Sequence, residues 1–258
     1  MPTAPELTAP FVAVPGFGLH AAYLSSPMRA ITGGGSFRIF DLPGHAGGTP
    51  TVGNPSLSRN DISNLVAEIA NHLLRQNEPT YLLGESLGST VVVEAANRAR
   101  QLGRPPAGVV LVSPPIVPRL TTLTRWTLAS LFDLRNTLAM GVDVERVYDE
   151  MLQNPEMVIQ LVDDPAVRMR VPLQYVLWSA RMALDLGIRG LRAMREPCLT
   201  LFGENDPLIS TKLSCSYLDS RPTVTIELVE GASHGILWGN CASQSVAKIR
   251  SWVELTRG

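Results

Sequence analysis

The stretch Tyr81-Leu82-Leu83-Gly84-Glu85-Ser86-Leu87-Gly88-Ser89-Thr90-Val91-Val92-Val93 decides how the rest of the chain is read. A short apolar run closes at Gly84, a serine stands between two glycines, and small or apolar residues then recur at helical spacing through Val92, Ala95, Ala96 and Ala99. This is the pattern of a strand passing into a helix through a tight turn. A serine hydroxyl is a weak nucleophile unless a strained turn exposes it, a base lies within reach and a helix N-terminus stands behind it; the turn at Ser86 offers that setting. The G-x-S-x-G pattern alone is weak, because Gly231-Ala232-Ser233-His234-Gly235 repeats it. A strand precedes that second match, but Gly235 and Gly239 leave little room for a helix directly after it. Ser86, not Ser233, is therefore the candidate nucleophile.

Outward from this turn, short apolar runs alternate with helical patterns. Phe11 to Pro15, Phe37 to Leu42, Tyr81 to Gly84, Val109 to Ser113, Leu199 to Gly203 and Val224 to Val229 each read as a buried strand. Helices are expected around His20 to Ala30, Asp61 to Gln76, Leu87 to Leu102, Thr211 to Leu218 and Ser243 to Leu255. Such alternation implies a mostly parallel sheet covered by helices on both faces. One segment breaks the rhythm. From Ile116 to Gly190 no strand signal is visible, while Leu128, Leu131, Val147, Met151, Val158, Leu161, Tyr175 and Trp178 recur at spacings a helix would use, which reads as a helical insertion. Gly33, Gly34 and Gly35 precede a strand, whereas a phosphate-binding loop would follow one, so they read as a loop after a helix.

Composition narrows the function. The chain has 258 residues, 17% of them charged, and a formal net charge of -1. A chain of this length buries about three quarters of its unfolded surface, so its core needs no disulfide or metal support. Without a basic field, nucleic acid is not an expected partner. Cys198, Cys215 and Cys241 form no C-x-x-C pair, which suggests neither a disulfide framework nor a zinc cluster. Met1 to Pro10 lacks the basic flank and apolar run of a signal peptide, and no run of about 18 apolar residues suggests a membrane span. The expectation is a cytoplasmic protein with no membrane partner.

With the serine turn and the alternating pattern in place, the chain resembles the α/β-hydrolase family from Phe11 to its end. The resemblance implies an α/β-hydrolase fold, with a core of residues 1–115 and 191–258 and a helical cap over residues 116–190. Family members often carry two further strands before this point, for which the ten preceding residues are too few. The family's chain order is serine, then Asp or Glu, then His. Gly203-Glu204-Asn205-Asp206-Pro207 follows one strand and Gly231-Ala232-Ser233-His234 follows another, so the resemblance implies Ser86, Asp206 and His234 as catalytic residues, with Glu204 as the competing acid. His234 would take the serine proton and return it to the leaving group, while Asp206 would hold the imidazole tautomer. His72 lies inside a helical pattern, His45 in a strand-end turn and His20 too early in the chain for the base role.

The resemblance also implies an oxyanion hole made by the backbone N–H groups of Leu87 and of Phe17 in the loop Val14-Pro15-Gly16-Phe17-Gly18. This loop departs from the common His-Gly start by carrying Pro15, which cannot donate, although the donor assigned is Phe17. Gly16, Trp126, Trp178, Leu237 and Trp238 are the candidate pocket residues. The loop, Asp41-Leu42-Pro43-Gly44 and the capped layout are similar to bacterial esterases that cleave pimeloyl-carrier-protein methyl esters and to related small carboxylesterases. The activity implied is hydrolysis of carboxylic esters of small or medium acyl groups, free or carrier-bound, through an acyl-enzyme and with no metal or organic cofactor. Three other readings stay open: an acyl thioesterase, a lyase or carbon-carbon hydrolase using the same three residues, and a non-enzymatic receptor for a small ligand.

Overall fold

The computed structural model describes residues 9–43, 45, 59–119, 141–143, 149, 151–152, 154–164, 167, 170–172, 180–185 and 189–257. Four runs that are apolar apart from Glu85 and Thr200 make its central strands: β1 (Phe11–Val14), β3 (Tyr81–Glu85), β4 (Gly108–Val112) and β7 (Cys198–Gly203), every residue of which is buried. Side chains alternate between the two faces of such a strand, so a strand with both faces covered is apolar along most of its length. In β1, Val12 and Val14 face a cluster that contains Ile69, Val91, Val92 and Ala95, while Phe11 and Ala13 face a second cluster with Leu24, Met28, Ile249 and Val253. The first cluster is covered by α2 (Arg59–Leu74) and α3 (Gly88–Gln101), the second by α1 (Ala21–Thr32) and the C-terminal helix (Ala242–Thr256).

With β2 (Phe37–Ile39) and β8 (Val224–Val229) the sheet has six strands in the order β2-β1-β3-β4-β7-β8, and every neighbouring pair is parallel. Among the described residues no strand precedes Phe11. β2 and β8 depart from the expectation of buried strands: both lie at sheet edges, and Leu228 is half exposed. The chain leaves β1 toward β2 on one side and returns as β3 on the other. Such a switch in winding direction opens a crevice beyond the C-terminal strand ends, where open α/β sheets place their ligands.

The segment between β4 and β7 is not purely helical. β5 (Gly141–Asp143) and β6 (Arg170–Pro172) form an antiparallel pair, correcting the expectation of an insertion without strands. At three residues each, and with Gly141 and Pro172 among them, neither can display a two-residue alternation. The same segment carries α4 (Pro155–Asp163), begun by the Asn154 side chain accepting from the Met157 N–H at 3.2 Å. Met157, Val158 and Leu161 of this helix join the hydrophobic cluster that holds Leu87, Ile116 and Ile209.

Candidate active site

Local backbone physics sets the serine. Ser86 follows β3 with φ 47°, a left-handed conformation that is strained for a residue with a side chain. Two hydrogen bonds hold it there: its N–H donates to the Val112 carbonyl of β4 at 2.7 Å, and its carbonyl accepts from the Ser89 N–H at 3.0 Å. The Ser89 hydroxyl donates back to the Gly84 carbonyl at 2.9 Å, tying strand to helix. Both glycines of the motif are required by close approach. A Cβ on Gly84 would lie 2.5 Å from Ser89 Cα, and one on Gly88 would lie 2.6 Å from the Pro15 carbonyl oxygen. The second contact presses the start of α3 against the loop that follows β1.

Asp206 and His234 arrive from the ends of β7 and β8. His234 Nε2 lies 2.9 Å from Ser86 Oγ, and His234 Nδ1 lies 2.7 Å from Asp206 Oδ2. The imidazole and the carboxylate are essentially buried. The second carboxylate oxygen of Asp206 accepts from the backbone N–H groups of Leu208 at 2.8 Å and Ile209 at 2.9 Å, which fixes the plane of the group. Glu204 points elsewhere and accepts from the Gly231 N–H at 2.9 Å. Burial pushes the His234 imidazole toward its neutral form, but the Asp206 carboxylate, through its charge and hydrogen bond, and the Glu85 charge outweigh it, so the net shift is above the ordinary value. This chain can move a proton from the hydroxyl to an imidazole whose resulting positive charge is already compensated.

The start of α3 and the loop after β1 lie next to each other at the nucleophile turn. Leu87 caps α3, so its N–H belongs to the helix's first turn, whose donors lack intrahelical partners and lie at the positive end of the dipole. The loop of Gly16, Phe17 and Gly18 lies beside it through the contact of Gly88 with Val14 and Pro15. Phe17 packs against the core and sets its ring edge-on to His45 at 5.6 Å, which gives His45 a supporting place under the loop.

The remaining sequence candidates fall in different places. Leu237 is buried in the second core cluster, and with Trp238 it lines a groove between α1 and the C-terminal helix whose walls do not include Ser86 or His234. Trp238 donates from its indole N–H to the Tyr23 carbonyl at 3.4 Å. Gly16 donates its N–H to the Glu85 carboxylate and lies over that group. Trp126 and Trp178 lie outside the described residues. His20 caps α1 and pairs with Asp164 at 3.0 Å, linking the core to the end of α4. His72 sits edge-on to Phe40, with Gln76 at 3.1 Å. The second motif match holds no elbow, because no helix begins until Gly239.

Two residues that sequence reading passes over stand at the site. Ser113, at the end of β4, also has φ 47°, and its hydroxyl donates to the His234 carbonyl at 2.6 Å, pinning the histidine loop. Glu85, the variable position before the nucleophile, is fully buried. Burial pushes its carboxyl up to about 7, against the pull of the His234 charge and the Gly16 N–H.

All three cysteines are free thiols, and burial pushes Cys198 up to about 12, which makes it a poor nucleophile. Among the described residues no group of His, Cys, Asp and Glu could hold a metal ion, and no helix is long and apolar enough to cross a membrane.

A strained serine at the end of β3 thus faces a buried imidazole and carboxylate across the strand ends. The model of the serine aminopeptidase, S33, family matches residues 5–240. The chain belongs to this α/β-hydrolase family. Among solved structures, the α/β-hydrolase described here is similar to a monoacylglycerol lipase from Paleococcus ferrophilus, with 22% identity over 96% of this chain and 94% of the other and a TM-score of 0.69. It is also similar to a soluble variant of monoglyceride lipase from Saccharomyces cerevisiae, with 15% identity, coverage of 97% and 87% and a TM-score of 0.76. A variant of tomato methylketone synthase I complexed with beta-ketoheptanoate shares 15% identity, with coverage of 98% and 100% and a TM-score of 0.67. Two different reactions on one scaffold show that the fold does not choose the substrate. A comparison with curated proteins returns no match.

Proposed function

We propose that this protein is a serine hydrolase that cleaves carboxylic esters of small or medium acyl groups through an acyl-enzyme on Ser86. The observation that carries the reading is the unbroken chain from Ser86 Oγ to His234 Nε2 at 2.9 Å and from His234 Nδ1 to Asp206 Oδ2 at 2.7 Å, starting at a serine held at positive φ. Ser86 Oγ attacks the ester carbonyl as its proton passes to His234. The charge that develops on the carbonyl oxygen is received by the N–H groups of Leu87 and Phe17, donors whose individual loss costs about 3 to 4 kcal/mol of barrier in sites of this kind. When the tetrahedral intermediate collapses, the acyl–oxygen bond breaks and the alcohol leaves with the proton from His234. Water, deprotonated by the same imidazole, then attacks the acyl-enzyme. The carboxylic acid leaves and Ser86 regains its proton.

The similarity to two monoacylglycerol lipases supports ester cleavage as the reaction to test first. The test measures turnover of a chain-length series of oxygen esters beside matched thioesters, for the parent protein and for Ser86→Ala. Faster turnover of oxygen esters, peaking at short or medium chains and abolished in Ser86→Ala, is expected. Preference for the sulfur esters would make the protein a thioesterase, and turnover surviving Ser86→Ala would overturn the assignment of the nucleophile.

A further inference from the structure

Glu85 fills the motif position at which any residue type fits, yet its side chain is almost completely buried beside the reacting groups. Its carboxylate accepts from the Gly16 N–H, a contact between positions 69 residues apart that joins the end of β3 to the loop after β1. The fit is tight: a Cβ on Gly16 would lie 3.0 Å from Glu85 Cδ and 3.1 Å from Oε1. The carboxylate thus occupies the space where a side chain on Gly16 would stand. Burying a carboxylate is unfavourable unless something holds it, and burial does push this one toward its neutral form. A Leu in its place would complete the apolar strand without that penalty. What the carboxylate gains is a charge-assisted bond to one backbone amide, and the next amide along the chain is that of Phe17.

We infer that Glu85 is a positioning residue: by holding the Gly16 amide it sets the Gly16–Phe17 peptide so that the Phe17 N–H faces the oxyanion formed at Ser86. This rests on the reading of Ser86 as nucleophile. The geometry explains why an acceptor, and not merely volume, is needed at position 85. The bond reaches the loop from the strand that bears the nucleophile, at the residue after Pro15, which has no N–H of its own to donate.

The test compares Glu85→Gln, which keeps an acceptor oxygen, with Glu85→Leu, which keeps the bulk and loses the acceptor. kcat and KM are measured on one ester, together with the inhibition constant of a trifluoromethyl ketone, whose hemiketal oxygen occupies the oxyanion position. In Glu85→Leu the expected loss of kcat is on the order of 10²-fold, matching removal of one oxyanion donor, with KM changed by less than about threefold and the ketone weakened in parallel. Glu85→Gln is expected to recover kcat to within about tenfold of the parent. If Glu85→Leu does not fold, as judged by circular dichroism, Glu85→Ala takes its place with the same readouts. Equal kcat in all variants, equal losses in Gln and Leu, or a loss confined to KM would overturn the inference. Mapping a fluorophosphonate adduct in the parent separates the two claims. Labelling at Ser86 with no split among the variants sinks the role of Glu85 alone, and absence of labelling at Ser86 sinks the reading beneath it.

Discussion

Asp206→Asn is the substitution whose consequence can be worked out atom by atom. Asp206 uses one oxygen to accept from Leu208 and Ile209, at 2.8 and 2.9 Å, and the other to face His234 Nδ1 at 2.7 Å. An asparagine has one acceptor oxygen, and two backbone donors claim it. The opposite orientation would set the amide NH2 group against those two N–H groups, leaving both without their acceptor. The NH2 group therefore faces His234 Nδ1 as a donor, the imidazole must present a lone pair there, and its single proton moves to Nε2. That proton then points at Ser86 Oγ, where the base needs a lone pair. A loss of about 10⁴ in kcat follows from the wrong tautomer, equivalent to about 5.5 kcal/mol of barrier. The shape is unchanged, so thermal unfolding should show a folded protein. The assay is kcat/KM on an ester, with Glu204→Gln as the control; Glu204 accepts from the Gly231 N–H, away from His234, so that control should stay within a few-fold of the parent. An Asn variant within tenfold of the parent, or a Gln control that falls as far, would refute the reasoning.

Gly203→Ala would drive a Cβ to within 2.7 Å of the Ala232 carbonyl oxygen, in the loop that carries His234. Overpacking of this kind should lower stability by about 1 to 3 kcal/mol, read as a fall in the denaturation midpoint, with a parallel loss of turnover. The pH profile of kcat/KM should fall on the acid side, because a protonated His234 cannot accept from Ser86. Its folded value lies above the ordinary 6.5, so the limb should too, and Glu85→Gln should move it to lower pH. The limb belongs jointly to His234 and Glu85, because their charges interact. Glu85 also has a stability signature. Its carboxyl, ordinarily at 4.5, is pushed up to about 7 in the folded chain, so the folded state binds this proton more tightly and stability declines as pH rises between those values. Denaturant titrations of Glu85→Gln and the parent should therefore agree near pH 4 and diverge by up to about 3 kcal/mol in favour of Gln above pH 7.

The central strands were legible because burial on both faces leaves little but apolar residues, as in Val109 to Val112. The elbow was legible because its constraints are local: two glycines, a serine and the start of a helix. Asp206 and His234 were expected from the resemblance, whose order of serine, acid and histidine sets each after a strand at the edge where open α/β folds assemble their sites. Contacts between distant positions were not legible. Glu85 sits where the motif specifies nothing, and its partner Gly16 is 69 residues away. Ser113 reads as the end of a strand, and its bond to His234 spans 121 residues. Leu237 follows His234 closely in sequence, yet it turns into the core. Edge and centre of a sheet look alike in a list of apolar runs, so β2 and β8 were expected to be buried. β5 and β6 were too short to leave a pattern.

The account stands most directly on where an electrophile aimed at activated serines lands. Treatment with a fluorophosphonate, followed by peptide mass mapping, should find one adduct, on Ser86, and Ser86→Ala should lose both the adduct and ester turnover while remaining folded. An adduct on Ser233 or any other residue, or turnover that persists without the Ser86 hydroxyl, would contradict it.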